Sequence, residues 1–244
     1  LFFVMMLFLS FLLILMIPNE NEGKFINVDL SYKILVNQPE IERDDVYWAE
    51  LNGVHLEGAD LTSSILIKAD LRNSHFENAK LKRAILEGAN IKGANFHGAD
   101  LRRSNLKNVE ARSYLDDPEE TFTDFSNANL RKADLRYANI HHANLKDADL
   151  SSATLQESIL RGSNLRGSDL RDAKLQDAYL AEVNLNKAKL NGANFQRAIL
   201  RGANLNGTDF TNTNLEGVNF AEAQLLDTKL KGADLQGSTL GVLI

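Results

Sequence analysis

Hydrophobic residues recur every five positions along most of the chain. From Phe125 to Leu240, every fifth residue is Leu, Ile or Phe for 24 consecutive positions, and an earlier run of 12 such positions extends from Leu51 to Leu106. Two residues before each large residue of the second run stands Ala, Ser, Thr or Val. A helix spaces its apolar residues three and four apart and a strand two apart. A period of five therefore predicts neither a long helix nor a long flat strand.

The five-residue unit predicts a short extended piece followed by a corner. A small and a large residue two apart point the same way in extended backbone, so we expect both to face inward. Asn and Asp are frequent just before the large residue, as at Asn129 and Asp134, and Gly is frequent two residues after it, as at Gly162. Both residue types favour turns. We interpret the chain as a coil that buries its core only by stacking on its neighbours.

This pattern resembles the pentapeptide-repeat family, whose units follow the motif Ala-(Asp/Asn)-Leu-x-x. Ala133-Asp134-Leu135 and Ala148-Asp149-Leu150 match it, and the resemblance covers about four fifths of the chain. It implies an all-β fold, a right-handed four-sided parallel β-helix of about nine coils. At a strand spacing of about 4.8 Å, nine coils form a rod about 43 Å long. Such a fold does not name a function, because one fold serves many roles.

The array, predicted over residues 49–240, is preceded by an apolar segment. Residues 1–17 carry no charge, and we predict a transmembrane helix there, since about 17 apolar residues are the lower limit for a span. A signal peptide and an internal apolar helix are the alternatives. The membrane is thus a predicted partner through residues 1–17. Three basic residues follow the segment and favour an array on the cytoplasmic side.

Both ends of the array need covering, because the end of a β-helix exposes an apolar cross-section and unpaired backbone. We predict that residues 18–48 form a junction and N-terminal cap with Trp48 as its plug. An aromatic ligand site at Tyr47 and Trp48 is the alternative. The apolar tail, residues 241–244, either covers the last coil or leaves it for a second copy of the chain. We therefore predict an end-to-end homodimer through the C-terminal coil.

The repeat phase breaks once, between Leu106 and Phe125, which are 19 residues apart. We predict a loop there at about 110–121, leaving one corner of the coil. Loops on rigid scaffolds often carry function, and residues 110–124 contain six acidic residues and one Arg. The candidate contacts with an unknown protein partner are the loop residues Glu110, Tyr114, Asp116, Asp117, Glu119 and Glu120 and the outward-facing Arg131 and Arg171.

The chain shows no catalytic signature. It has no Cys, which excludes disulfides, thiolate metal sites and Cys nucleophiles, and it has no motif of a nucleotide, metalloprotease or hydrolase site. His55 and His75 are 20 apart in an outward slot, but position 95 is Asn95, and no carboxylate or third His stands in that column. We interpret this pair as solvated surface. We predict no enzyme activity, no metal and no cofactor.

The charge of the array distinguishes a protein-interaction scaffold from a protein that imitates DNA. Some pentapeptide-repeat proteins protect type II topoisomerases by imitating DNA, and the predicted loop resembles the loops that interrupt the quinolone-resistance members. Such imitation needs a dominant negative field. Residues 49–244 hold 24 Lys and Arg against 26 Asp and Glu, a net of −2, and the net is +3 without residues 110–124. A basic stripe for nucleic acid is missing too, because the charges are mixed.

The sequence therefore predicts a non-enzymatic, membrane-anchored scaffold or protein-interaction module. The alternative is a soluble, DNA-mimicking protector of a type II topoisomerase. An extracytoplasmic module behind an uncleaved signal is a third interpretation.

Overall fold

The computed structural model describes residues 49–111 and 121–240. The segment 1–48, with its predicted span and cap, and the tail 241–244 lie outside the described residues. Within the described ranges no helix has the length and hydropathy needed to cross a membrane.

Residues 20 apart pair in parallel, one coil on the next. Glu50 bridges Asp70, and Asp70 in turn bridges Asn90. Hydrogen bonds run from each large residue to the coil that follows, as from Leu56 N to His75 O at 2.7 Å. Nearly all of these pairings involve single residues. The exceptions are two strands of two residues each, β1 (Asn219–Phe220) and β2 (Thr239–Leu240), which pair in parallel with each other.

Each corner is a turn that closes on the large residue. The carbonyl of Leu56 accepts a hydrogen bond from Ala59 N at 3.1 Å, and Gly58 between them has a φ of 66°. A positive φ at this third residue is what a type II turn requires. Gly reaches it without strain, whereas a side chain such as that of Lys68, at a φ of 51°, costs about 1–2 kcal/mol. The predicted Gly position is therefore confirmed, but the corner tolerates other residues.

Asn and Asp before the large residue brace the same corner. The Oδ1 atom of Asn219 accepts a hydrogen bond from Ala221 N at 2.9 Å, and Asp149 Oδ1 accepts one from Ser151 N at 2.9 Å. This is the local side-chain bond that gives these residues their turn preference. The outward slot before the large residue, which we call the bracing slot, thus has a structural reason to be polar.

The interior consists of the large and small residues that the pattern assigned to it. Leu170 is fully buried and Ala173 is 1% exposed. Phe76, Phe96 and Phe125 stack in successive coils with ring centroids 4.9 and 5.0 Å apart. Most of the buried small hydroxyls bond backbone carbonyls, as Ser163 Oγ does with Ile140 O at 2.9 Å, which offsets the cost of burying them. The Oγ atom of Ser64 has no such partner among the described residues. The predicted inward orientation of both residues is confirmed.

Four units complete one coil, so the array has four flat faces. We number them by the first bracing slot that each contains: face 1 begins at Glu50, face 2 at His55, face 3 at Asp60 and face 4 at Ile65. Face 1 is opposite face 3, and face 2 is opposite face 4. A feature on face 1 therefore cannot share a flat partner surface with a feature on face 3.

The first run is one unit longer than the sequence analysis predicts. Glu110 bridges both Asn90 and Asn139, and Ala111 is 4% exposed, so both belong to the array rather than to a loop. The array resumes at Asp124, which bridges Asn95 from 29 residues away instead of 20. The insertion therefore adds nine residues to one coil and leaves the array at face 1. Its residues 112–120 lie outside the described residues.

The last described coil is more open than the coils before it. Leu230 and Leu240 are 37% and 55% exposed, whereas Phe210 and Phe220 one coil earlier are buried. This is the apolar cross-section that the expected homodimer would cover. End-to-end pairing stays a prediction.

We expect Leu170→Asp to destabilise the array by several kcal/mol, because the charge would lie in the apolar stack without a partner. Arg171→Ala, at the next position, faces outward and should change stability little. Urea unfolding followed by circular dichroism compares the two variants. Equal losses of stability in both would contradict the inward and outward assignments.

Candidate functional site

Three bulky residues interrupt the polar bracing slots of face 1. Ile159, Tyr179 and Ile199 are 39%, 39% and 37% exposed and lie on consecutive coils. At about 4.8 Å per coil they span about 10 Å. We call these three residues the face-1 column. The complete series of bracing slots on this face is Glu50, Asp70, Asn90, Glu110, Asn139, Ile159, Tyr179, Ile199, Asn219 and Thr239.

The face-1 column departs from the local rule at the same corner of three consecutive coils. Asn219, in the same series, braces its corner through Oδ1, and neither Ile nor Tyr has a short side-chain acceptor for that bond. The chain therefore gives up a turn hydrogen bond at each of these corners and places apolar surface in water. Where a sequence breaks a local rule without structural gain, a functional site is the usual reason.

Charged pairs lie along one edge of the column. Arg161 Nη2 is 3.1 Å from Glu182 Oε1, and Arg201 Nη2 is 2.9 Å from Glu222 Oε1, each pair joining adjacent coils. The hydrogen bond to Glu222 raises the pKa of Arg201. Ala181 occupies the slot between the two arginines. An aromatic and aliphatic centre with Arg at its edge is the composition of protein-interaction hot spots.

The insertion leaves the array on this same face. Glu110 bridges Asn139, and Asn139 bridges Ile159, so the insertion departs two coils from the column. Where the chain rejoins the array, Phe122 is 42% exposed, and its ring centroid lies 5.8 Å from that of His142. The attachment points of the insertion and the face-1 column thus lie on one side of the rod. We call them together the face-1 surface.

The contact residues predicted from sequence do not form one surface. Glu110 is on face 1, where its Oε2 accepts a hydrogen bond from Asn139 Nδ2 at 3.2 Å. Arg131 and Arg171 follow the face-3 slots of Asn129 and Asp169, on the opposite side of the rod. The other predicted contacts lie outside the described residues: Tyr114, Asp116, Asp117, Glu119 and Glu120.

Arg171 is held by its own repeat unit. Its Nε and Nη2 atoms donate to the two carboxylate oxygens of Asp169 at 2.9 and 2.6 Å. This pairing holds the pKa of Asp169 below its ordinary value and raises that of Arg171. Arg131 follows Asn129 instead, and the described part of the chain gives its guanidinium no ion-pair partner. Of the two arginines, only Arg131 has a guanidinium that a partner can bind without breaking an ion pair.

Sequence reasoning missed the face-1 column, although its signal is present in the sequence. Ile159, Tyr179 and Ile199 are 20 apart and fill a slot that elsewhere is mostly Asn or Asp. A count of bulky residues in this slot, column by column, finds these three as well as Ile65 and Ile85 on face 4. Their exposure could not be read from the sequence, because it depends on what neighbouring side chains cover.

The comparisons with known proteins agree with this architecture. The family model described as Pentapeptide repeats matches in 8 copies, over residues 45–78, 69–108, 121–151, 148–185, 178–217 and 198–237. The chain belongs to the pentapeptide-repeat family. The right-handed β-helix that the family resemblance implies is confirmed. No curated protein sequence matches the chain.

Two solved structures show how this pentapeptide-repeat protein resembles others over most of its length. One is HetL from the cyanobacterium Nostoc, described as involved in heterocyst differentiation regulation, with 28% identity and a TM-score of 0.56 over 89% of this chain and 91% of HetL. The other is trypsin-treated QnrB1, a plasmid-mediated fluoroquinolone resistance protein, with 20% identity and a TM-score of 0.53 over 87% and 91%. At 20% identity the second likeness shows the fold alone.

Replacing Arg171 with Ala should raise the pKa of Asp169 toward its ordinary value, because the guanidinium is the main cause that lowers it. A carboxylate with a lowered folded-state pKa contributes stability that is present above about pH 4 and is lost as the pH falls through the folded value. Carboxyl NMR titration of the native chain and the variant measures this shift. Arg131→Ala is the control and should leave Asp169 unchanged; equal titration in all three proteins would contradict the ion pair.

Proposed function

We propose that this pentapeptide-repeat protein is a non-enzymatic scaffold that binds a protein partner through its face-1 surface. The observation that carries the proposal is the face-1 column, where apolar side chains replace turn-bracing Asn and Asp on three consecutive coils. The partner should present a flat, mainly apolar patch with acidic or amide groups facing Arg161 and Arg201.

The backbone beneath the column is rigid, which favours binding. Ile159 N and Tyr179 N each donate to the preceding coil, at 2.8 and 2.9 Å, so neither residue moves independently of the ladder. Preorganisation of this kind lowers the entropy lost on association. The three side chains stand on a flat face rather than in a cleft. A flat apolar surface suits a protein, whereas a small molecule needs a concave site.

The DNA-mimicking alternative lacks the field that it needs. The described residues hold 23 Lys and Arg against 22 Asp and Glu, a net of +1. Units such as Asp169–Arg171 and Asp100–Arg102 also neutralise their own charges through close ion pairs. A duplex mimic needs a strong negative potential along the rod, so these observations favour a protein-contact scaffold over a mimic.

We further propose that residues 1–17 anchor the scaffold in a membrane with the array on the cytoplasmic side. The support is their composition, an uncharged apolar run close to the length of a span. The anchor would hold face 1 near partners at the membrane surface.

Carbonate extraction of membranes from the native cells should leave the chain in the membrane pellet. Carbonate removes peripheral proteins, whereas a protein held by a transmembrane span is retained. Protease added to the cytoplasmic side should then digest the array. A matched chain that lacks residues 1–17 should move to the soluble fraction. Release of the native chain by carbonate would reject the anchor and leave the face-1 proposal standing.

A photo-crosslinking amino acid at position 179 should form a defined adduct in the native cell, because Tyr179 lies at the centre of the proposed interface. The same amino acid at Lys189, on the opposite face 3, is the matched control and should give no such adduct. Ile159→Asn together with Ile199→Asn should abolish the adduct at 179, since Asn restores the polar slot. Equal crosslinking from both positions would reject a face-1 interface.

A further inference from the structure

Face 2 begins with two histidines and two glutamates in a two-by-two grid. His55 and His75 fill bracing slots on adjacent coils and bridge each other. Glu57 and Glu77 occupy the outward slots two residues further on. The imidazole rings are parallel within 2°, with centroids 4.2 Å apart.

Each histidine is joined to the glutamate of its own coil. His55 Nδ1 donates to Glu57 Oε1 at 2.8 Å, and His75 Nδ1 donates to Glu77 Oε1 at 3.2 Å. Burial raises the pKa of Glu57, but the hydrogen bond from His55, a backbone hydrogen bond and the two nearby imidazoles together lower it by more, so the pKa lies below its ordinary value. A carboxylate beside two imidazoles is a metal-binding donor set.

The second oxygens of both carboxylates are shielded from water. Glu57 Oε2 and Glu77 Oε2 have no hydrogen-bond partner within the described ranges and almost no accessible surface. A shielded, unpaired carboxylate oxygen is costly. A cation bound by Glu57 would reduce that cost at Glu57.

We propose that His55, His75 and Glu57 bind a divalent transition-metal ion of the Zn²⁺ type. One ligand atom from each residue lies within 4.8 Å of the other two. Two His and one Glu form a known zinc donor set that leaves a fourth position open. Glu77 is a positioning residue, because its bond to His75 orients that ring, as outer-shell carboxylates do in zinc sites.

The side chains of the grid would have to tilt to close on the ion. Tetrahedral zinc with Zn–N bonds of about 2.0–2.1 Å places two ligand nitrogens about 3.4 Å apart. The ring centroids of His55 and His75 are 4.2 Å apart. Their side chains are 22% and 39% exposed, so both rings can tilt toward a shared ion. The backbone bridge between them stays in place.

Residues 20 apart in the sequence do not by themselves reveal this site. In the column of His55 and His75 the next residue is Asn95, which carries no negative charge. The carboxylate comes from the side, two positions along the same coil. A metal ion here would join the first two described coils as a clip, and its binding energy would add to their stability.

The test is titration of the metal-free full chain with ZnCl₂ by calorimetry, together with Co²⁺ absorption spectroscopy. We expect one site in the micromolar range or tighter and a Co²⁺ spectrum of low-coordinate N/O ligation. His75→Asn, which copies Asn95 of the next coil, should weaken Zn²⁺ binding about tenfold or more. Zn²⁺ should raise the melting temperature of the native chain and not that of this variant.

Two further variants keep the outcome clear. His141→Asn changes a histidine on face 1 and should leave both Zn²⁺ affinity and the Co²⁺ spectrum unchanged. Glu57→Gln keeps the size of the side chain and its acceptor oxygen, and it should weaken Zn²⁺ binding about tenfold even if His75→Asn folds poorly. No uptake by the native chain at tens of micromolar Zn²⁺, or equal affinity in the native and Glu57→Gln chains, would overturn the site.

Discussion

The parallel ladder between residues 20 apart constrains everything else in this molecule. Each coil bonds to the next through hydrogen bonds such as that from Leu56 N to His75 O, and this requires successive coils to turn their corners at matching positions. A coil cannot bury its large residues alone, so stability comes from contacts with its neighbours along the rod. The inside is consequently uniform, and variation is confined to the outward slots and to the one place where a coil is longer.

The outward slots have their own local chemistry. Asn and Asp brace the corners. In units such as Asp169–Arg171, an ion pair within one repeat neutralises both charges. Against this background two places stand out. The face-1 column lacks the bracing groups, and the start of face 2 collects imidazoles and carboxylates in one grid. In both places the stacking of the ladder aligns like positions, which are apolar side chains in the proposed partner surface and ligand atoms in the proposed metal site.

The sequence predicted the coil, its core and its membership of the family because the five-residue period is regular and no helix or flat strand produces it. It missed the unit that ends the first run, since Ala111 fills a slot where every other unit of that run has Leu, Ile or Phe. It also missed the face-1 column and the role of Glu57. A periodic pattern shows which residues stack in a column, but exposure and contacts between columns depend on the three-dimensional packing of particular side chains. The predicted partner contacts on the insertion remain predictions, and Arg131 and Arg171 lie on the face opposite the proposed interface.

The claim on which this account depends most is that the face-1 column serves binding and not stability. Its direct test compares the unfolding of the native chain with that of a chain in which Ile159, Tyr179 and Ile199 are all replaced by Asn. Asn219 shows that the slot accepts this residue and gains a corner hydrogen bond. The account predicts a free energy of unfolding within about 0.5 kcal/mol of native per substitution, or higher. A loss of several kcal/mol per substitution, as for core residues, would show that the column is structural and would contradict the account.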